Sequence, residues 1–209
     1  SSQEDADLNQ LAIQAADKLN AIANDKTYVS ADADLLAEAP VATEVYAPTS
    51  AIAANARSLA HVALATDSDR VLRTDTAALR VGDHLLPSMG LAIAAAMQGV
   101  ENPGIKLDSK GLLSLGEKRV QLSDQLRWQP ALYPLTGKQA IKQVSYWQVL
   151  AGEIDPASLQ GKTIVVGIVG STATAGMMAT GIETPLGVAM APVHIIASIA
   201  SSLRMNHLY

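Results

Sequence analysis

The run at 163–169, Thr-Ile-Val-Val-Gly-Ile-Val, constrains the fold of this chain more than any other segment. Every residue in it except Gly167 is branched at Cβ, and such side chains favour extended strands over helices. The run is short, and glycines at 161 and 170 bound it. Continuous apolar strands of this length are typically buried on both faces, in the middle of an α/β sheet. We therefore predict that 163–169 is an interior strand.

The residues before this run predict a helix, two turns and then the strand. The helix occupies 144–150 and ends near Gly152, an Ile-Asp-Pro turn follows at 154–156, and a Gly-Lys bend lies at 161–162. The tripeptide Gly-Lys-Thr that enters the strand is not a phosphate loop, because such a loop follows a strand and opens a helix. The bend is therefore interpreted as a turn.

Helices and strands are predicted to alternate along the rest of the chain, which indicates an α/β fold with a mixed central β-sheet flanked by helices. Apolar residues at helical spacing predict further helices at 7–23, 51–59, 89–98 and 193–203. Alternating or β-branched runs predict strands at 60–66 and 71–73, a hairpin through Gly82 and Asp83, and a second hairpin within 105–122. Weaker strand patterns lie at 27–30, 43–47 and 131–136.

Composition excludes several classes of function. The chain has 209 residues, which predicts one domain or at most two. With 3% aromatic residues and no Phe, its core must be aliphatic. A net charge of −5 without a basic face argues against nucleic-acid binding. The absence of cysteine excludes disulfides, thiolate metal sites and a cysteine nucleophile. No apolar run reaches the roughly 18–20 residues that a membrane-spanning helix needs.

The glycine-rich loop at 167–176 is the first candidate site. A loop of this kind after a strand can bind an anion through its backbone N–H groups, but the dinucleotide spacing is not met. A ligand role and a plain tight turn both stay open. Ser171 and Thr172 are the polar residues of this loop. Ser171 with His194 and an aspartate would suggest a hydrolase, although no Gly-x-Ser-x-Gly motif is present. One interpretation of the chain is thus a small α/β hydrolase or nucleotide-binding enzyme that uses the loop at 167–176.

An acidic turn and two histidines are the other candidates. Asp67 and Asp69 could hold calcium, but the remaining oxygen ligands of a calcium loop are missing, and a turn paired with Arg73 is the preferred interpretation. His61 lies in a predicted strand and His194 at a helix start. Either could titrate near neutral pH, although a lone histidine of this kind is more commonly a core residue.

Patterns spread over most of the chain resemble a known family. The closest are Leu-Ala-Gly-Glu-Ile-Asp-Pro and the strand that follows, within 150–167, and Thr-Pro-Leu-Gly at 184–187. Weaker patterns lie at 4–8, 59–62, 67–73, 86–92, 115–122 and 190–197. Together they resemble the type-2 CHASE domain, the second type of cyclase/histidine-kinase-associated sensory extracellular domain.

The chain departs from the family pattern at several positions. Arg70 stands where the family has Gly in the acidic turn, and Pro192 and His194 stand where it has Gly and Glu. The family's N-terminal strand-helix-strand portion is expected to be missing. A sheet without that central strand pair would expose an edge, and exposed edges promote association.

The resemblance implies a sensor and not an enzyme. It implies a single extracytoplasmic domain over 1–209, on the periplasmic side of a bacterial inner membrane, with flanking transmembrane helices, no cofactor and no metal. A small molecule or a protein would be the stimulus, a homodimer is one expected state, and the output would be a cytoplasmic cyclase, kinase or cyclic-di-nucleotide enzyme. The candidate ligand-binding residues are His61, Asp67, Asp69, Arg73, Ser171, Thr172, Thr184 and His194.

Overall fold

Helices and short strands alternate along the chain in the computed structural model, which describes residues 2–169 and 181–205. The helices are α1 (Ser2–Asn20), α2 (Ala33–Glu38), α3 (Ser50–Ala53), α4 (Met89–Met97), α5 (Tyr146–Leu150) and α6 (Pro192–Met205). The strands are β1 (Ser30–Ala31), β2 (Asp75–Thr76), β3 (Ala78–Val81), β4 (His84–Pro87), β5 (Lys106–Leu107), β6 (Leu112–Leu115), β7 (Lys118–Gln121), β8 (Arg127–Trp128), β9 (Ile182–Glu183) and β10 (Ala189–Met190).

The largest sheet in the described residues is mixed, which confirms the predicted α/β class. It has the order β1-β5-β6-β7, with β1 parallel to β5 and the other pairs antiparallel. The pairs β2-β8, β3-β4 and β9-β10 form antiparallel two-stranded sheets beside it. Both predicted hairpins are present, as β3-β4 and β6-β7. Each turns at a glycine with positive φ, Gly82 and Gly116, where a side chain would be strained.

The core is aliphatic, as the composition predicts, apart from Trp128. Helices α4 and α6 supply much of it and pack directly against each other. Ser88 begins α4 as its N-cap, because its Oγ accepts a hydrogen bond from the backbone N–H of Leu91 at 3.2 Å. Gly99, at φ 71°, follows the end of the helix, where a left-handed glycine commonly terminates it.

Gly90 sets the distance between α4 and α6. A Cβ built on Gly90 would lie 2.2 Å from Cγ2 of Ile199 and 2.6 Å from its Cβ, both far inside van der Waals contact. Only glycine therefore allows the two helices to approach this closely. Because Gly90 has no side chain, Ile199 of α6 packs directly against the backbone of α4 at this point.

The helix and the turns predicted before residue 163 are confirmed. Helix α5 ends at Leu150, and Gly152 adopts φ 72°. The carboxylate of Asp155 accepts a hydrogen bond from the backbone N–H of Ala157 at 3.0 Å and so closes the Ile-Asp-Pro turn. The sequence pattern of this segment is therefore a reliable guide up to Lys162.

The prediction that 163–169 is an interior strand is wrong. The segment pairs with no strand among the described residues, and Ile164, Val166 and Ile168 are exposed. β-Branched side chains favour an extended backbone, but a strand also needs a partner to receive its hydrogen bonds. The described residues supply no such partner.

Other strand and helix predictions are only partly met. In 60–66 only His61 enters a ladder, parallel to Ser88, and in 71–73 only Val71 does so, parallel to Glu183. The helix predicted at 51–59 is shortened to α3. The weak pattern at 27–30 corresponds to β1 and a bridge at Val29, whereas 43–47 and 131–136 form no strand.

No helix among residues 2–169 and 181–205 combines the length and the apolar character needed to cross a bilayer.

Replacing Gly90 by Ala tests the close approach of the two helices. Helix propensity alone predicts that this change stabilises the protein by about 1 kcal/mol. The clash with Ile199 predicts the opposite, a net loss of about 1–3 kcal/mol, because the helices must separate. We expect the loss to dominate, as measured by urea unfolding.

Two further variants separate packing from propensity. Ala96→Gly, at an exposed position of α4, reports propensity alone and is expected to cost about 1 kcal/mol. Gly90→Ala combined with Ile199→Ala is expected to lose less than the sum of the two single changes. A stabilised Gly90→Ala variant would show that the helices do not meet at this residue.

Candidate functional site

The acidic turn at 67–73 is built around Arg73. Its Nη1 donates to Oδ2 of Asp67 at 2.8 Å and to Oδ1 of Asp69 at 2.9 Å, and its Nη2 donates to Oδ2 of Asp69 at 2.7 Å. Arg70 occupies the left-handed region at φ 66°, which is uncommon for a residue other than glycine. The predicted pairing of Arg73 with the turn carboxylates is therefore confirmed.

Arg73 also controls the protonation of Asp69. Hydrogen bonds from Arg73 lower the pKa of Asp69 to about 2, and the backbone N–H of Val71 assists. The same contacts raise the pKa of Arg73 above its ordinary value. The trio carries one net negative charge and is partly open to solvent. A ligand that bound Arg73, or one of the two carboxylates, would break an ion pair of this trio and loosen the turn.

The Thr-Pro-Leu-Gly motif lies beside this turn. The backbone N–H of Leu72 donates to the carbonyl of Glu183 at 2.8 Å, and Val71 forms a parallel bridge with the same residue. Thr184 is buried, and its Oγ1 donates to the carbonyl of Val188 at 2.8 Å, which closes the connection between β9 and β10. Of the predicted site residues, Asp67, Asp69, Arg73 and Thr184 are thus brought into neighbouring segments.

A buried carboxyl group at Asp75, two residues beyond Arg73, was not among the predicted site residues. Its side chain is 2% exposed. The Oγ of Ser88 donates to its Oδ2 at 2.7 Å, and the indole Nε1 of Trp128 donates to the same oxygen at 3.1 Å. The sequence shows an aspartate near a turn, which is normally exposed, and offers no signal that this one is enclosed.

Burial raises the pKa of Asp75 to about 7, although the hydrogen bonds from Ser88 and Trp128 oppose the shift. The carboxyl group is therefore poised to change its charge near neutral pH. It links three elements, since Asp75 starts β2, Trp128 belongs to β8 and Ser88 is the N-cap of α4. We call Asp75, Ser88 and Trp128 the buried node.

The backbone of His61 pairs with the residues on either side of Ser88. Its N–H donates to the carbonyl of Pro87 at 2.9 Å, and its carbonyl accepts from the N–H of Met89 at 2.8 Å. Among residues 2–169 and 181–205 neither ring nitrogen has a hydrogen-bond partner within 3.5 Å, and burial lowers the pKa of His61 to about 4 against a smaller opposing effect of the Thr76 backbone. His61 is therefore a neutral core histidine at pH 7. Because Ser88 donates to Asp75, it is not a nucleophile activated by this imidazole.

His194 is distant in sequence from the acidic turn and from the buried node, and it lies in the first turn of α6. It is buried, burial lowers its pKa, and its Nδ1 has no hydrogen-bond partner in the part of the chain that the structure describes. Ser171, Thr172 and most of the glycine-rich loop lie outside the described residues, so their ligand role stays a prediction. No cluster of the kind that holds a metal ion occurs in 2–169 and 181–205.

Replacing Asp75 by Asn tests the buried carboxyl group. The folded state binds the proton more tightly than the unfolded chain, in which the pKa is near 3.8. The contribution of Asp75 to stability is therefore greatest below pH 4, decreases as the pH rises from about 4 to about 7, and stays low above that. We expect the decrease to amount to about 2–4 kcal/mol.

The measurement compares urea unfolding of the wild type and the variant between pH 4 and pH 8. Asp75→Asn is expected to remove most of the decrease, whereas Asp25→Asn, at an exposed position, is expected to parallel the wild type. Equal pH dependence in the wild type and Asp75→Asn would contradict the raised pKa.

Comparison with known proteins assigns the chain to a family. The family model of the CHASE2 domain matches residues 3–208, essentially the whole chain. No curated protein and no solved structure matches it. CHASE2 domains are extracellular sensory domains of signalling proteins. The resemblance found in the sequence is thus confirmed, and the chain belongs to the CHASE2 domain family.

Proposed function

We propose that this domain is the extracytoplasmic sensor of a bacterial transmembrane signalling protein, on the periplasmic side of the inner membrane. Its output is a cytoplasmic nucleotide cyclase, kinase or cyclic-di-nucleotide enzyme, and membrane-spanning helices lie outside the described residues. Family membership over residues 3–208 is the observation that carries this proposal. The sensory character belongs to the family, and the membrane context and the output are the proposed part.

A continuous set of contacts connects the exposed turn with α6. The turn at 67–73 bonds to Glu183 through Leu72, and two residues after Arg73 the chain enters the buried node at Asp75. Through Ser88 the node holds the first turn of α4, and α4 meets α6 at Gly90. A change at the turn can therefore reach the start of α4 through hydrogen-bonded neighbours.

The mechanism we propose is a shift between two arrangements of α6. A stimulus that binds Asp67, Asp69 or Arg73 changes the stability of the turn, and the buried node passes this change to the helix pair. Such a stimulus shifts the population only as far as its affinities for the two arrangements differ. Helix α6 fits the transmitting role because it is buried along most of its length and packs directly on α4.

Thiol labelling in the full-length protein tests the proposed location. The described domain contains no cysteine, so Tyr46→Cys introduces a single thiol there, at a side chain that is 87% exposed. In spheroplasts a membrane-impermeant maleimide is expected to label this cysteine fully without lysis. Leu113→Cys, in the core, is the matched control and is expected to stay unlabelled. Labelling of Tyr46→Cys only after lysis would place the domain on the other side and contradict the proposal.

The coupling is tested by the output activity of the full-length protein. Arg73→Gln removes the charge that pairs with both carboxylates and is expected to change the basal output by several-fold, because the turn is loosened. Asp25→Asn is the control and is expected to leave the output unchanged. Cysteine cross-linking along 193–205 is expected to differ between Arg73→Gln and the wild type. An unchanged output together with an unchanged cross-linking pattern would contradict the proposed route.

A further inference from the structure

Helix α5 presents its apolar side chains to solvent. None of its five residues is buried, and Gln148 is the half-buried one among them. The exposed fractions are 66% for Tyr146, 69% for Trp147, 45% for Val149 and 67% for Leu150. A helix on the surface of a soluble domain normally has the reverse arrangement, with its apolar residues towards the core and its polar residues outside. In the described part of the chain, nothing covers these four side chains.

The four exposed side chains lie on one face of the helix. Successive residues of an α-helix are turned by about 100°, so that positions 149, 146, 150 and 147 follow one another within an arc of about 160°. Gln148 lies outside this arc. We call Tyr146, Trp147, Val149 and Leu150 the α5 face.

Basic residues without acidic neighbours in sequence precede the α5 face. The chain has a net charge of −5, but between Asp124 and Glu153 it contains no acidic residue and three basic ones, Arg127, Lys138 and Lys142. The two lysines are exposed, and neither forms an ion pair with a described carboxylate. Lys142 precedes the first residue of α5 by four positions, a span of at most about 14 Å. The lysines therefore place unpaired positive charge close to an exposed apolar face.

This combination favours a bilayer with anionic headgroups as the occupant of the α5 face. Trp and Tyr are enriched where a membrane meets water, because the ring contacts the apolar layer while its polar end stays at the headgroups. Lysines beside such residues add attraction to anionic lipids. A second copy of the chain fits less well, because the contact would bring the lysines of both copies together without acidic residues between them.

We propose that the α5 face, together with Lys138 and Lys142, binds the surface of a bilayer that contains anionic phospholipids. The contact area is small, so the isolated domain binds weakly and reversibly. In the full-length protein the membrane helices hold the domain near the bilayer and raise the effective concentration of this surface. That last step rests on the proposed function, whereas the contact itself does not. Binding in this way fixes which side of the domain lies against the membrane.

Co-sedimentation of the 209-residue chain with lipid vesicles tests the contact. The wild type is expected to bind vesicles of phosphatidylcholine with phosphatidylglycerol, and to bind less at high salt or when phosphatidylglycerol is left out. Trp147→Ser is expected to weaken binding by about tenfold, because the largest apolar side chain of the face is lost. Ile52→Ser, at a side chain that is 65% exposed in α3, is the matched control and is expected to bind like the wild type.

The contribution of charge is tested by removing one lysine at a time. Lys138→Gln and Lys142→Gln are each expected to weaken binding to the anionic vesicles by about fivefold, because a lysine near such a surface contributes about that factor. Binding to phosphatidylcholine alone is expected to stay unchanged. Lys110→Gln, at an exposed position outside the acid-free stretch, is the control and is expected to bind like the wild type.

The fluorescence of Trp147 shows whether α5 itself contacts the lipid. The chain has two tryptophans, and Trp128 is buried. On binding to the anionic vesicles, the emission of the wild type is expected to shift to shorter wavelength, because the exposed indole leaves water. Trp147→Phe is expected to retain most of the binding and to lose the shift.

Two results would overturn the proposal. One is a wild type that does not bind the anionic vesicles, or that binds them no better than Trp147→Ser does. The other is a wild type that does not bind vesicles but dimerises in sedimentation equilibrium, with the dimer lost in Trp147→Ser, because the α5 face would then be a protein contact. The purified chain is used throughout, so neither result bears on the thiol-labelling test of the proposed location.

Discussion

The structure depends on one enclosed carboxyl group. A carboxyl group taken out of water is costly unless donors surround it, and the hydroxyl of Ser88 and the indole of Trp128 both donate to the same oxygen of Asp75. These two bonds join strands β2 and β8 to the first turn of α4. If either donor is removed, Oδ2 keeps the other donor but the buried carboxyl group loses a hydrogen bond, which costs about 1–3 kcal/mol. Asp75 therefore fixes where α4 begins.

The position of α4 in turn fixes α6. Gly90 and the alanines of α4 present little volume, so α6 approaches its partner closely and Ile199 fills the space that a side chain at position 90 would occupy. In a sequence with no Phe, close backbone approach and aliphatic contacts supply the packing that aromatic side chains supply elsewhere. The helix pair is thus closely packed at this point, and the proposed coupling between α4 and α6 runs through that contact.

The sequence predicts those features whose causes are local. The α4 helix, the two hairpins and the carboxylate pairing with Arg73 all follow from neighbouring residues. The run at 163–169 has the composition of an interior strand, but burial depends on a distant partner, and the described residues contain none. Residues 60–66 fail as a strand for a related reason, because only His61 finds a partner in the ladder. Asp75 could not be identified, since an enclosed and an exposed aspartate look the same in sequence. The resemblance to the family, by contrast, rests on many weak patterns together and is confirmed.

The carbon-13 chemical shift of the Asp75 carboxyl group, followed by NMR between pH 3 and pH 9, tests the central claim most directly. We expect a single titration with a midpoint near 7 in the folded protein. In the urea-unfolded chain, where Ser88 and Trp128 no longer enclose the group, we expect the midpoint to fall to the ordinary value of 3.8. A midpoint near 4 in the folded protein would mean that Asp75 is open to solvent, and the proposed connection from the acidic turn to α4 would then lack its central element.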